Sequence, residues 1–438
     1  MAVSTPVIRL CLAIAPFVLA ACGEATSPEN PIDAPDGGVE SVPSDSDTSF
    51  PPEPASTTPR GETAEPPRRG LWVLCEGSQR ILEHPDRFPE LIEDARRLGA
   101  SDLFVQVYRG GRAWFDSSLS DATPHREIVE STGRDTFAEL IPLAQAAGLR
   151  VHAWVNVLSL AGNLHSQLVL DLGPGVVAVD RQGRSILDYP KLEVPDPDRA
   201  YYRMGTPAVW LDPAAPGVAE HIAAIFAELP NRYPTLDGIH LDYIRYPDVL
   251  PFVPGSRFGV GLDFGYAEAT RARFQAETGL VAPFGESLAN ANRWDAWRRA
   301  KLTELVTTIG AAAHAVAPDL ALSAAVWAYA DRAYLALGQD WRGWLDADLI
   351  QFAVPMAYTL DDVLLSHLTR AFAGVPSGNR IWIGLGSWLF EKNPERAVAQ
   401  VEIVRAAGAG GDALFSWDSI AAAPALRDAL AGGAGDAP

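Results

Sequence analysis

The sequence predicts an α/β chain folded as a (β/α)8 TIM barrel with long loop insertions after strands 3 and 4. Three observations carry that reading. Short β-rich runs alternate with amphipathic helical runs from residue 70 to 438, the order that gives a parallel sheet with helices outside it. Eight such strand runs occur, and a helical run closes the series. No glycine-rich phosphate loop follows the first run, which weighs against an open doubly wound sheet.

Taken in order, the first strand is Leu71–Cys75, followed by a helix near Arg87–Leu98. The second is Leu103–Tyr108, with a helix over Thr136–Ala147; Gly99 and Gly148 stand where helix ends favour glycine. The third strand, Arg150–Val157, opens a long excursion over 158–216, within which Gln182-Gly183 marks a hairpin. A helix over Gly217–Leu229 leads to the fourth strand, Gly238–Asp242. A second excursion reaches about Asn292 and holds a short helix, Tyr266–Thr278. The long helix Trp294–Ala317 precedes strands at Leu320–Trp327, Leu349–Pro355, Arg380–Leu385 and Ala413–Trp417, and a helix at Ala422–Leu430 ends the pattern. Both excursions follow strands, so both belong to the face where barrel enzymes keep their chemistry.

Ahead of the barrel, residues 1–21 read as an export signal. Arg9 precedes an apolar run, Leu10 to Leu19, too short to span a bilayer. Ala20-Ala21-Cys22 resembles a bacterial lipoprotein processing site, which makes Cys22 the expected lipidation site and the membrane a partner through an N-terminal lipid. Gly23 after the cysteine fits an outer-membrane destination by the enterobacterial sorting pattern. Residues 22–69 read as a tether: ten prolines and ten carboxylates stand against three arginines, with too little apolar surface to offset ordering entropy.

The formal charge of −20 argues against nucleic acid as a partner. Of three cysteines, Cys11 leaves with the signal and Cys22 carries lipid, so Cys75 reads as a lone core thiol. The scattered histidines show no metal-ligand spacing, and there is no nucleophile elbow. The reading therefore calls for no cofactor and no metal, and leaves carboxylate chemistry.

That chemistry is best marked by Asp237–Pro247, DGIHLDYIRYP. Alternation puts Gly238, His240 and Asp242 on one face of the strand. Asp242 at a strand's C-terminal end is the leading catalytic candidate, as nucleophile or base. Arg245 beside it is expected to keep it ionised, and His240 to orient it, touch a hydroxyl or serve as a core residue. The partner acid is open among Glu76, Asp418, Asp263, Asp361 and Glu391, with Glu76 and Asp418 ranked first because they follow strands directly. Other strand ends supply Tyr108, Arg109, Arg112, Trp154, Asn156, Tyr243, Tyr246, Trp327, Tyr358, Trp388 and Trp417. Flat rings with polar edges suit sugar faces, so these form the expected substrate-binding set.

Several motifs in order resemble one family. They are GLWV at Gly70–Val73, FVQVYRGGRAWF at Phe104–Phe115, LRVHAWVNV at Leu149–Val157, LDPAAPGV at Leu211–Val218, DGIHLDYIRYP, DFGY at Asp263–Tyr266 and VPMAY at Val354–Tyr358. Over residues 70–420 the chain resembles the glycosyl-hydrolase-like family ten group of exported bacterial barrels, in a DYIRYP-type form. The resemblance implies action on a cell-wall or extracellular polysaccharide, peptidoglycan glycan strands in one branch. Many members carry two adjacent acids at the end of strand four, where this chain has Asp242 and then Tyr243. The expected function is a lipid-anchored glycoside hydrolase. The alternatives are a non-catalytic glycan-binding lipoprotein on the same scaffold, and a transglycosylase or lyase.

Overall fold

Strand-forming segments and helices alternate as the hydrophobic pattern requires, and the strands close on themselves. The computed structural model describes residues 67–251, 262–282 and 287–433. The expected signal, Cys22 and nearly all of the tether lie outside the described residues. Among those residues, eight parallel strands form the barrel: β1 Arg68–Val73, β2 Asp102–Arg109, β3 Arg150–Asn156, β4 Gly238–Asp242, β5 Ala321–Trp327, β6 Phe352–Met356, β7 Trp382–Gly386 and β8 Gly411–Phe415. Neighbours pair in sequence order, and β1 pairs with both β2 and β8, which closes the ring. The barrel begins at Arg68, inside the segment expected to be tether, because Arg68 is tied to Asp102 of β2 at 3.0 Å and Arg69 to Asp412 of β8.

The main helices outside the barrel are α1 Phe88–Arg97, α2 Thr136–Ala146, α3 Val218–Arg232, α4 Leu288–Val316, α5 Trp341–Asp346, α6 Asp362–Ala373, α7 Pro394–Ala406 and α8 Pro424–Gly432. Their ends follow local chemistry. Asp135 caps α2 by accepting from the Ala138 N–H, and Ser287 caps α4 from Asn290. Gly99 and Gly148 take φ of +68° and +83°, the left-handed positions that stop α1 and α2. Two layers of apolar residues result. One lies between strands and helices; the other fills the barrel interior with Trp72, Phe104, Trp154, Phe352, Val354 and Trp382, a packed core with no open bore.

The two excursions fold together over one face. Tyr202–Met204 from the first pairs antiparallel with Val249–Pro251 from the second, and Asp180 bridges Phe264. An aromatic cluster of Tyr266, Phe274, Trp294 and Trp297 anchors the second excursion to α4. The expected hairpin at Gln182-Gly183 is a tight turn with one bridge, Val179 to Ser185. Its strands stay short because the Asp180 carboxylate draws in the Arg184 N–H, the Arg184 guanidinium and the Tyr189 hydroxyl. The last strand lies two residues earlier than expected, at Gly411–Phe415. It ends at Phe415, and Ser416 then caps a new helix, Trp417–Ala422, through a reciprocal bond with Ser419.

Candidate functional site

Asp242 is the last residue of β4 and points inward at the mouth, opposite Asn156 of β3 in register. The chain turns sharply after it: Tyr243 has φ of +52°, a left-handed conformation rare for a bulky residue. That turn aims the Tyr243 N–H back at Asp242 Oδ1, 2.7 Å away. The other oxygen accepts from the Trp154 indole N–H at 3.1 Å. Both oxygens are thus fixed, with the side chain buried at 7% exposure. Burial pushes its pKa up to about 6, against the opposing pull of the Tyr243 N–H, the Arg245 charge and the Trp154 N–H.

Arg245 does not play the part expected of it. Its guanidinium goes to Asp248 at 2.7 Å and to the Tyr246 carbonyl, and lies against Trp210, Tyr243 and Trp327. Its charge reaches Asp242 without a direct bond, and desolvation outweighs it.

Aromatic rings line the mouth beside Asp242. Tyr358, after β6, meets Trp388 at 4.9 Å and Phe415 at 5.7 Å between ring centroids. Phe415 also meets Trp388, Trp154 and Trp72. Tyr358, Trp388 and Phe415 are half-buried, so part of each ring faces the mouth. Burial, helped by the Asp242 charge, raises the Tyr358 phenol well above its ordinary pKa, which keeps it a hydroxyl donor. Trp327 stands at the end of β5 with Arg245 and Arg332 against its ring. On the other side Glu76 is clamped by Arg109 and, at 2.6 Å, by Arg112. Tyr243 joins the two sides: it feels the charges of both Asp242 and Arg109, and burial lifts its phenol to about 12.

Several expected residues lie elsewhere. Asp418 is not at the mouth; both its oxygens accept backbone N–H groups of the β1 loop, from Leu74 at 3.1 Å and Gln79 at 3.0 Å. Trp417 is fully buried against α1 and donates to Asp94. Both follow from β8 ending two residues before the expected strand end. Tyr108 faces outward onto Phe226 of α3, because a bulge between Gln106 and Tyr108 breaks the alternation. His240 lies in the barrel core, stacked on Phe104 and bonded to Ser323, with no exposed surface; burial and the nearby His152 hold its pKa well below the usual value. Tyr246 is buried in the insertions beneath the Arg298 guanidinium. Asn156 is nearly buried and accepts from Gln106, which also accepts from the Cys75 thiol. Of the remaining acids, Asp361 caps α6, Asp263 pairs with Arg298 and Tyr266, and Glu391 is exposed.

Phe415 is the mouth residue that the sequence reading missed. The alternation of Ala413 and Phe415 was its signal, obscured by the aromatic Trp417 two places on. Among the described residues no cluster of three or more His, Cys, Asp or Glu side chains is placed to hold a metal ion, and no helix is long and apolar enough to cross a membrane.

A carboxyl buried at a barrel strand end, under a rim of rings, is an arrangement also used by glycosidase barrels. Residues 67–365 match the family model Glycosyl hydrolase-like 10, and the chain belongs to that family. It is 23% identical over 424 residues to glycosyl hydrolase DigH of Escherichia coli O6:H1, covering 88% of this chain and 83% of the relative. The Shigella flexneri protein of the same name is 23% identical over 383 residues, 77% of this chain and 78% of the relative. Among solved structures, the PgaB (BpsB) glycoside hydrolase domain from Bordetella bronchiseptica superposes with a TM-score of 0.59 at 17% identity, covering 83% of this chain and 99% of that one. The catalytic domain of β-amylase from Paenibacillus polymyxa gives 0.52 at 13% identity, covering 84% and 98%. These two likenesses establish the barrel.

Proposed function

We propose that the protein is a glycoside hydrolase acting on a cell-wall or extracellular polysaccharide, with Asp242 as its proton-transferring carboxyl. The observation that carries this is a carboxyl raised to about 6 at the barrel mouth, with both oxygens fixed and aromatic rings beside it. A group titrating near working pH is the efficient proton donor and acceptor, so the raised value favours proton transfer, the base side of the nucleophile-or-base role expected from sequence, and adds the donor step. The rings of Tyr358, Trp388 and Trp327 offer faces for sugars. The relatives named glycosyl hydrolase support the same chemistry.

The test is release of reducing ends from peptidoglycan glycan strands and a panel of polysaccharides, wild type against Asp242→Asn. Turnover by wild type and its loss in the variant is the expected result; equal turnover removes Asp242 from the reaction. A second reading, glycan binding without cleavage, draws on the clamping of Glu76 by two arginines, which leaves that carboxyl ill suited to catalysis. Binding of glycans by folded wild-type protein with no reducing-end release selects it.

We further propose that the chain is lipid-anchored in the cell envelope through Cys22, on the strength of the Leu19-Ala20-Ala21-Cys22 sequence. Incorporation of labelled fatty acid that disappears in Cys22→Ser is the expected outcome. Unchanged labelling overturns it.

A further inference from the structure

Asp242 and Asn156 end neighbouring strands and pair in register, so their side chains stand next to each other on the inward face. Each keeps a small exposed surface, 7% and 5%. The packed barrel interior lies beneath both, so that surface is reached from the mouth. Asp242 has both oxygens occupied by N–H donors. Asn156 has one end occupied: its Oδ1 accepts from Gln106 Nε2 at 3.3 Å. Its Nδ2 donates to no group among the described residues, yet it is not one of the unpartnered polar atoms sealed inside the protein. That donor opens on the mouth, beside the reacting carboxyl.

The two ends of a carboxamide have almost the same shape, so its partners decide which end faces where. Here the decision starts at Cys75. Burial, helped by the Glu76 charge, pushes the pKa of this thiol well up, so it stays S–H and acts as a donor. It donates to Gln106 Oε1 at 3.2 Å. Gln106 then presents its nitrogen to Asn156, and Asn156 turns its oxygen to Gln106. The chain Cys75–Gln106–Asn156 runs in one direction and ends in a donor. Reversed, it would set an amide oxygen beside the Asp242 carboxylate, acceptor against acceptor.

We propose that Asn156 Nδ2 donates a hydrogen bond to an acceptor oxygen of the sugar whose bond is cleaved, and that Cys75 and Gln106 are the positioning residues that set the amide for it. The inference rests on the assignment of Asp242 above. The donor is oriented before the sugar arrives, so the bond forms without reorganisation of the site. It also holds the sugar against Asp242, where a small displacement is costly in rate. This role gives a reason for a thiol and two carboxamides where apolar side chains would pack without needing partners.

The probe is the panel glycan that wild type cleaves fastest. Asn156→Ala is expected to lower kcat/KM by about 10- to 100-fold, the worth of leaving a polar partner unpaired. Asn156→Asp keeps the shape and the acceptor for Gln106 but replaces the donor by an oxygen, and should lose as much. Cys75→Ala frees Gln106 to turn and should cost a smaller factor, which Cys75→Ser, again a donor, recovers. In the double variant Cys75→Ala/Asn156→Ala the loss should equal that of Asn156→Ala alone, because Cys75 acts through it; damage to packing would add instead. Full kcat/KM in both Asn156 variants, with activity still lost in Asp242→Asn, overturns the proposal and leaves the hydrolase reading standing. Additive losses overturn the positioning role of Cys75. If wild type binds glycans without cleaving them, calorimetric affinity is read on the same variants: unchanged affinity overturns the contact, and lost affinity upholds it while the hydrolase reading falls. Neither binding nor cleavage of any panel glycan overturns both.

Discussion

Asp102 and Asp242 are both buried carboxyls inside the barrel, one at each end. Their surroundings are opposite. Asp102, fully buried at the start of β2, receives Arg68 and Arg150 at 3.0 Å, His152 at 2.9 Å and the Ser101 hydroxyl at 2.6 Å. Asp242, at the end of β4, receives two neutral N–H donors and a cation already engaged by Asp248. A barrel divides its labour this way: the N-terminal end holds the fold together and the C-terminal end holds chemistry. The charge at one end is neutralised in place. The charge at the other is left costly, so that the group gives it up near neutral pH.

The sharpest break of that comparison is a pair of substitutions. Asp242→Asn is expected to lower kcat by about 10²- to 10⁴-fold, the usual worth of general acid–base catalysis, with cooperative unfolding retained. Asp102→Ala is expected to cost about 1–3 kcal/mol of stability, because it removes the shared acceptor of the partly exposed Arg68 and Arg150 and leaves the buried His152 without its hydrogen-bond partner, while the folded fraction keeps its kcat. Denaturant unfolding and reducing-end kinetics on both variants check this. Equal effects of the two on kcat would erase the distinction between the ends.

The second prediction concerns pH. The Asp242 pKa is raised from 3.8 to about 6 on folding, so the folded state favours its protonated form. The stability this adds is fully present below about pH 4 and is lost as pH rises through about 6. Two units correspond to about 3 kcal/mol as an upper bound. Wild type should therefore gain stability relative to Asp242→Asn as pH falls from 7 to 4, read by denaturant titration at each pH. As proton donor, the same group should make kcat/KM fall as pH rises past about 6. A stability difference flat across this range would place Asp242 in a more solvated state than the structure gives it.

The barrel was legible because its signals are periodic and redundant. Strands such as Gly238–Asp242 stand between helix and loop signals, and eight repeats of one unit tolerate errors in any single one. The site was legible only where it rides on the strand pattern. Alternation places Asp242 and Trp154 on the inward face, where the structure has them in contact. Tyr108 was misplaced because a bulge of one residue turns its side chain to the other face, and Trp417 because an early helix cap ends the strand before it is reached. Asp418 and Arg245 failed for another reason: proximity in sequence says nothing about which competitor takes the hydrogen bond. Backbone N–H groups claimed the first and Asp248 the second.

The smallest expected effect isolates one hydrogen bond at the mouth. The Trp154 N–H donates to Asp242 Oδ2, a bond that favours the ionised form and so pulls the pKa down against burial. Trp154→Phe removes the donor and keeps an aromatic ring inside the barrel. Asp242 then loses one of its two N–H partners while remaining desolvated, so its pKa should rise further, by about half a unit to one unit if a bond to a charged group contributes its usual share. The pH at which kcat/KM falls should move up by the same amount. A purely structural role for Trp154 predicts lower stability and lower kcat with the limb unmoved, so the position of the limb decides between the two. A downward shift would mean that water enters beside Asp242 once the indole is gone, and that exclusion of solvent, more than the hydrogen bond, is what Trp154 contributes.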